Sequence, residues 1–122
     1  MFDTVIVSGG NIQKDFALRF LEKEIEESGR DNLTFIAADR GLEFFMETGM
    51  MPDVAIGDFD SLSSEGKEYI KSHPRLRVQR LKPEKDDSDT QSAMKLAIAG
   101  GASRILILGC FGTRLDHVMA NI

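Results

Sequence analysis

Val5-Ile6-Val7 and Ile105-Leu106-Ile107-Leu108 are unbroken apolar runs, each too short for a helix of ordinary length. A strand with one wetted face alternates apolar and polar residues, whereas an unbroken run suits a strand covered on both faces. Such strands belong to parallel sheets held between layers of helix. Residues 33–38 read the same way, and the runs at 54–56 and 76–81 complete a set of predicted strands that begins with Thr4–Val7 and ends with Arg104–Leu108.

Helical stripes fill the intervals. Leu18, Leu21 and Ile25 predict a helix stopped by Gly29, and Leu42, Phe45 and Met46 a shorter one stopped by Gly49. Tyr69 and Ile70 lie in a polar helix ended by Pro74. Met94, Ala97 and Ile98 form a stripe closed by Gly100-Gly101. Leu115, Val118, Met119 and Ile122 fall at i, i+3, i+4 and i+7, which predicts an amphipathic helix running to the last residue. Strand and helix in alternation predict an α/β domain over residues 1–122, with a predominantly parallel sheet flanked by helices. Phe44, Phe45 and Met46 read as helix packing, and Glu22, Glu24, Glu26 and Glu27 as a solvated helix face.

Charge narrows the function. A net charge of −5 with no basic cluster argues against a nucleic-acid partner, whose phosphates an acidic surface repels. A small anionic ligand remains compatible if a divalent cation bridges it to the acids. The single cysteine, Cys110, cannot close an internal disulfide and reads as a structural thiol. No charged leader or long apolar span is apparent, which gives a cytoplasmic protein without a membrane partner as the expectation.

In open parallel sheets, ligands bind beyond the carboxyl ends of the strands. Five segments fall there: Ser8-Gly9-Gly10-Asn11, Asp39-Arg40-Gly41, Gly57-Asp58-Phe59-Asp60-Ser61, the acidic run 82–89, and the segment from Gly109 to His117. Gly10 reads either as part of a tight turn or as a backbone approach to phosphate, since neither dinucleotide nor P-loop fingerprint is present. Asp58 and Asp60 stand two residues apart, a spacing that lets two carboxylates meet one hard cation such as magnesium. Their competing role is a turn in which Asp60 or Ser61 caps the next helix.

Asp86-Asp87-Ser88-Asp89 carries a capping-box pattern through Ser88 and Gln91, with Asp89 in the first turn, where the helix dipole favours an anion. The accumulated aspartates beside a second acidic loop nevertheless call for a cation. Arg114 supplies a planar fork suited to phosphate, or else pairs with Asp116. On their own, His117 reads as a packing or surface histidine, and His73 as a histidine with no nearby partner.

Taken together these segments resemble the thiamine pyrophosphokinase family. Ala38-Asp39 matches the pair that ends its second strand, and Gly49 to Ser61 matches its G-x-x-P-D-x-x-I-G-D-F-D-S segment throughout. Lys82-Pro83-Glu84-Lys85-Asp86-Asp87-Ser88-Asp89-Thr90-Gln91 stands where the family has a segment of the P-x-E-K-D-x-T-D-x-E type. Gly112, Arg114, Asp116 and His117 match G-x-R-x-D-H, followed by Ala120-Asn121. The likeness spans roughly residues 38–122. Arg40 departs from the usual small residue and implies a more crowded loop; Ser88 keeps a hydroxyl where threonine is usual; Gln91 removes a charge where glutamate is usual.

The resemblance implies a Rossmann-like three-layer sandwich that transfers pyrophosphate from ATP to the hydroxyl of thiamine, giving thiamine diphosphate and AMP. It implies Mg2+ held by Asp58, Asp60 and Asp89, with Asp86 a further candidate. Arg114, Asp116 and Asp89 would act in catalysis, and Gly10, Asp39, Ser88, Arg114 and His117 at the nucleotide. The family continues into a carboxy-terminal β-sandwich that supplies much of the thiamine pocket, a domain not found in residues 1–122, and its sites resemble clefts shared within a homodimer. Two other readings stay open: a pyrophosphokinase acting on another alcohol such as a pterin, and a magnesium–nucleotide-binding module without turnover.

Overall fold

Each of the five apolar runs becomes a parallel strand in the computed structural model, which describes residues 3–8, 14–57, 64–80, 89–102, 104–108 and 120–121. Strands β1 (Thr4–Val7), β2 (Thr34–Ala38), β3 (Val54–Gly57), β4 (Arg77–Arg80) and β5 (Arg104–Leu108) alternate with helices α1 (Lys14–Ser28), α2 (Leu42–Thr48), α3 (Ser64–Ser72) and α4 (Asp89–Ala99). The sheet order is β4-β3-β2-β1-β5-β6, the last being a two-residue strand, β6 (Ala120–Asn121). Strand boundaries move by a residue from the sequence reading: β2 starts at Thr34, β3 extends to Gly57, and β4 starts at Arg77.

The unbroken apolar runs are explained by the two cores they serve. Val5, Val7, Phe35, Ala37, Ala55, Leu106 and Leu108 point to one face, where residues of α1, α2 and α3 meet them. Ile6, Ile36, Ala38, Val54, Ile56, Ile105 and Ile107 point to the other, against Ala93 and Ala97 of α4. The chain moves outward from β1 to β4 with its helices on one face. It then returns across the sheet to β5 with α4 on the opposite face, as right-handed crossovers require when the direction of travel reverses. Gly29 and Gly49 end their helices as predicted, donating to Ile25 and Phe45 carbonyls at 2.7 and 3.0 Å. The phenylalanines are core, as predicted: Phe44 and Phe45 meet edge-on at 5.6 Å, and Phe45 lies 5.9 Å from Phe35.

Four expectations are corrected. Ala120 and Asn121 are not helical; they pair antiparallel with Ile105 and Arg104, giving β5 a second neighbour. An eight-residue periodic pattern is too short to outweigh a strand edge with unpaired backbone groups, and the remaining positions of that pattern lie outside the described residues. Glu24 is buried, not solvated. The inward line of α1 runs through Ala17, Leu21 and Glu24, with Leu18 and Ile25 only half-buried. Among the described side chains of α4 the buried ones are Ala93 and Ala97, while Ile98 is exposed. His73 does have a partner: its ring stacks on Tyr69 at 4.0 Å, and Nδ1 lies 2.8 Å from the Tyr69 carbonyl oxygen. Among the described residues, no helix is long and apolar enough to cross a membrane.

Candidate functional site

Because β1 to β5 are mutually parallel, all five release the chain at the same edge of the sheet. The strand order reverses between β1 and β5, and a crevice opens at such a switch point. There the Ser8 amide donates to the Leu108 carbonyl at 2.7 Å, which stitches the exits of β1 and β5 together. The segment containing Gly10 comes after Ser8 in sequence, and the segment containing Arg114, Asp116 and His117 comes after Leu108.

Next to this stitch lies the exit of β2. Asp39 opens a tight 3-10 turn, Asp39–Gly41, directly after the strand. A β-carbon placed on Gly41 would stand 1.8 Å from the Val7 carbonyl oxygen and 3.2 Å from the Ser8 nitrogen. Only a residue without a side chain lets this turn press onto β1. Arg40 is exposed, and its Nε lies 3.5 Å from Glu43 Oε2, so the expected crowding is met by a side chain that pairs along α2. Sequence alone marks Gly41 as a loop residue and no more, because its need arises from a neighbour in space rather than from its own dihedrals.

The exit of β3 is shaped by Gly57, whose φ of 148° is rarely adopted by residues with a β-carbon. It is the last residue of β3 and directly precedes Asp58 in sequence. α4 runs from Asp89 to Ala99 and packs across β1, β2 and β3; the capping serine of the sequence reading, Ser88, lies outside the described residues. Of the predicted site residues, Asp39 and Asp89 are therefore placed by their backbone. Gly10, Asp58, Asp60, Asp86, Ser88, Arg114, Asp116 and His117 lie outside the described residues, as does Cys110. Among the described residues no group of three or more His, Cys, Asp or Glu is assembled as a metal cage. The proposed ligands Asp58, Asp60, Asp86 and Asp89 are an all-oxygen set, the donor chemistry that magnesium takes.

Two clefts lie at the opposite, amino-terminal edge. One of about 370 Å³ is lined by residues that include Met51, Pro52, His73 and Leu76, and the other, about 580 Å³, by residues that include Arg30, Thr34, Asp53 and Arg77. Neither borders a strand exit.

That edge holds an arrangement with no signature in the sequence. The Asp53 amide donates to the Phe35 carbonyl at 2.7 Å, and the Phe35 amide donates back to Asp53 Oδ2 at 2.8 Å. Arg30 joins them: Nη2 donates to Asp53 Oδ2 at 3.1 Å and to the Met51 carbonyl at 2.9 Å, Nη1 to the Leu33 carbonyl at 2.8 Å, and the guanidinium sits 4.2 Å over the Phe35 ring.

Comparison with known proteins agrees with this architecture. Residues 27–122 match the model of the family described as thiamin pyrophosphokinase, catalytic domain. The chain is 33% identical over 93 residues to thiamine pyrophosphokinase of Bacillus subtilis, an alignment covering 75% of this chain and 42% of that protein. Among solved structures, thiamin pyrophosphokinase from Geobacillus thermodenitrificans superposes with a TM-score of 0.68 at 31% identity, over 91% of this chain and 48% of the other. Thiamine pyrophosphokinase from Bacillus subtilis superposes with a TM-score of 0.66 at 26% identity, with the same coverage. The chain thus spans about half or less of the length of these relatives.

Proposed function

The chain belongs to the family of thiamin pyrophosphokinase catalytic domains, and on that premise we propose that it carries the nucleotide and metal side of pyrophosphate transfer from ATP to thiamine. The observation that supports this reading best is the shared carboxyl edge. β1, β2, β3 and β5 all end there, each succeeded in sequence by a motif segment rich in glycine, aspartate or arginine.

In the reaction, the thiamine hydroxyl oxygen bonds to the β-phosphorus of ATP. The bond from that phosphorus to the oxygen bridging to the α-phosphate breaks, AMP departs, and the hydroxyl proton is released. Such a transfer asks for positioning and charge neutralisation rather than a covalent intermediate. Asp58, Asp60 and Asp89 would hold magnesium, with Asp86 nearby in sequence. When bound, the ion offsets the negative charge of the phosphates and orients them. Arg114 would take up charge that develops on the transferring group, and Asp116 would hold Arg114 or meet the nucleotide. Gly10, Asp39, Ser88 and His117 would contact the nucleotide. The same reading places the reaction in the cytoplasm and the complete protein in a homodimer.

The coverage of the relatives favours a second reading for residues 1–122 taken alone: a magnesium–nucleotide-binding unit that does not itself turn over thiamine. One experiment separates the two. AMP release from ATP is measured with and without thiamine and with and without magnesium. Thiamine-dependent release supports the full transfer. Magnesium-dependent ATP binding without release supports the binding unit, and no magnesium-dependent binding removes both.

A further inference from the structure

We infer that Asp53 is a positioning residue which sets the register of β3, and through it the placement of Asp58 and Asp60; the inference rests on the magnesium reading of those two carboxylates. Register in a strand is normally set by which residues must be buried, because a one-residue slip exchanges the two faces. β3 carries less of this information than a half-wet strand does. Val54, Ala55, Ile56 and Gly57 are all buried, and both faces of the strand meet an apolar core. Its partnership with β2 is also brief, from Ile36 opposite Val54 to Ala38 opposite Ile56.

Asp53 removes the ambiguity by holding one residue of β2 at both of its backbone groups. Its amide donates to the Phe35 carbonyl and its carboxylate accepts from the Phe35 amide, at 2.7 and 2.8 Å. A slipped strand could not keep both bonds. Arg30 anchors the same carboxylate at 3.1 Å and lies over the Phe35 ring. The pair is partly exposed, at 34% and 45% of the two side chains, so its ionic attraction is weak and geometry is its main contribution. At the other end of β3, Gly57 is the last strand residue, paired with Arg80, and Asp58 follows it in sequence. A slip of one residue would move the end of β3 about 3.3 Å along the sheet, and with it the point from which the segment holding Asp58 and Asp60 departs.

The test titrates magnesium against ATP binding in the complete protein for wild type, Asp53→Ala, Asp53→Asn and Asp53→Glu, with melting temperatures measured alongside. Asp53→Ala should raise the magnesium concentration for half-maximal binding on the order of tenfold, as loss of a support behind a metal's ligands does. Asp53→Asn keeps an oxygen for the Phe35 amide and should recover most of that loss. Should the alanine variant not fold, Asp53→Glu carries the test: it retains the charge but cannot hold both grips from the same backbone position, and should shift the titration the same way. A folded Asp53→Ala or Asp53→Glu with wild-type magnesium dependence and only a lower melting temperature overturns the inference while leaving the site reading intact. A wild-type protein whose ATP binding ignores magnesium overturns both.

Discussion

Gly41 and Val7 approach so closely that a single added methyl would stand 1.8 Å from the Val7 carbonyl oxygen. Gly41 itself has helical dihedrals, with φ −57° and ψ −21°, so nothing in its own conformation asks for glycine. Two effects of Gly41→Ala therefore oppose each other. Local propensity favours alanine by roughly 0.5–1 kcal/mol, whereas forcing a side chain into backbone costs about 1–3 kcal/mol. The contact should win, because the obstacle is a strand carbonyl buried in the sheet and not a side chain that can turn away. Urea denaturation should show a net loss of stability, and ATP affinity should fall with it as the β1 and β2 exits part. A gain in stability would show that the turn does not rest on β1.

Asp58→Asn should weaken ATP binding in the presence of magnesium and change it little in its absence. If the aspartates gather as proposed, removing one charge should also leave unliganded stability equal or slightly higher. Titration calorimetry in magnesium and in excess chelator reads both terms. Equal losses with and without the ion would assign Asp58 to the nucleotide directly and not to a cation.

Tyr69 provides a pH-dependent observable, since burial raises its phenol above the ordinary value of 10.0. The folded chain then holds this proton more tightly than the unfolded chain does. Its contribution to stability is complete below pH 10.0 and is lost as pH rises from there through the folded value. Tyr69 is the only tyrosine, so phenolate absorbance reports it without overlap. Its midpoint should lie above 10.0 in the native protein and fall toward that value in urea, and Tyr69→Phe should remove this part of the alkaline destabilisation.

What is legible in the sequence divides along a physical line. β1 and β5 can be read because each residue of Val5-Ile6-Val7 and Ile105-Leu106-Ile107-Leu108 must satisfy a core on its own side, which leaves a local imprint. Asp39 can be assigned to the carboxyl edge because parallel strands all release the chain in the same direction. The contact of Gly41 with Val7 leaves no imprint, because its cause is a strand far away in sequence. Asp53 is visible only as a letter in a motif; its partners, Phe35 and Arg30, lie 18 and 23 residues away. β6 likewise depends on a distant edge, that of β5, and its two residues hold no periodicity of their own.

Glu24 shows the same limit from within a helix, and it yields a stability prediction. The inward line of α1 passes through Ala17 and Leu21, and the next position on that line is Glu24. Its neighbours Glu22, Glu26 and Glu27 are exposed, so composition alone groups all four as one wet face. Glu24 is nevertheless buried, and its Oε2 has no hydrogen-bond partner among the described residues; one turn later, Ser28 Oγ is in the same condition. A buried polar atom that has given up water without a replacement costs about 1–3 kcal/mol on mutational scales. Methionine has nearly the same length and helix propensity as glutamate and adapts to an irregular space. Glu24→Met should therefore stabilise the fold by about 1 kcal/mol or more, while Glu22→Met, on the exposed face, should stay within about 0.5 kcal/mol of wild type. The midpoint of urea unfolding measures both. A loss of stability in Glu24→Met would mean that the carboxylate is satisfied in solution, for which a water held between Glu24 and Ser28 is the simplest arrangement. The double variant Glu24→Met/Ser28→Ala would then distinguish a shared water, through strong non-additivity, from two independent sites.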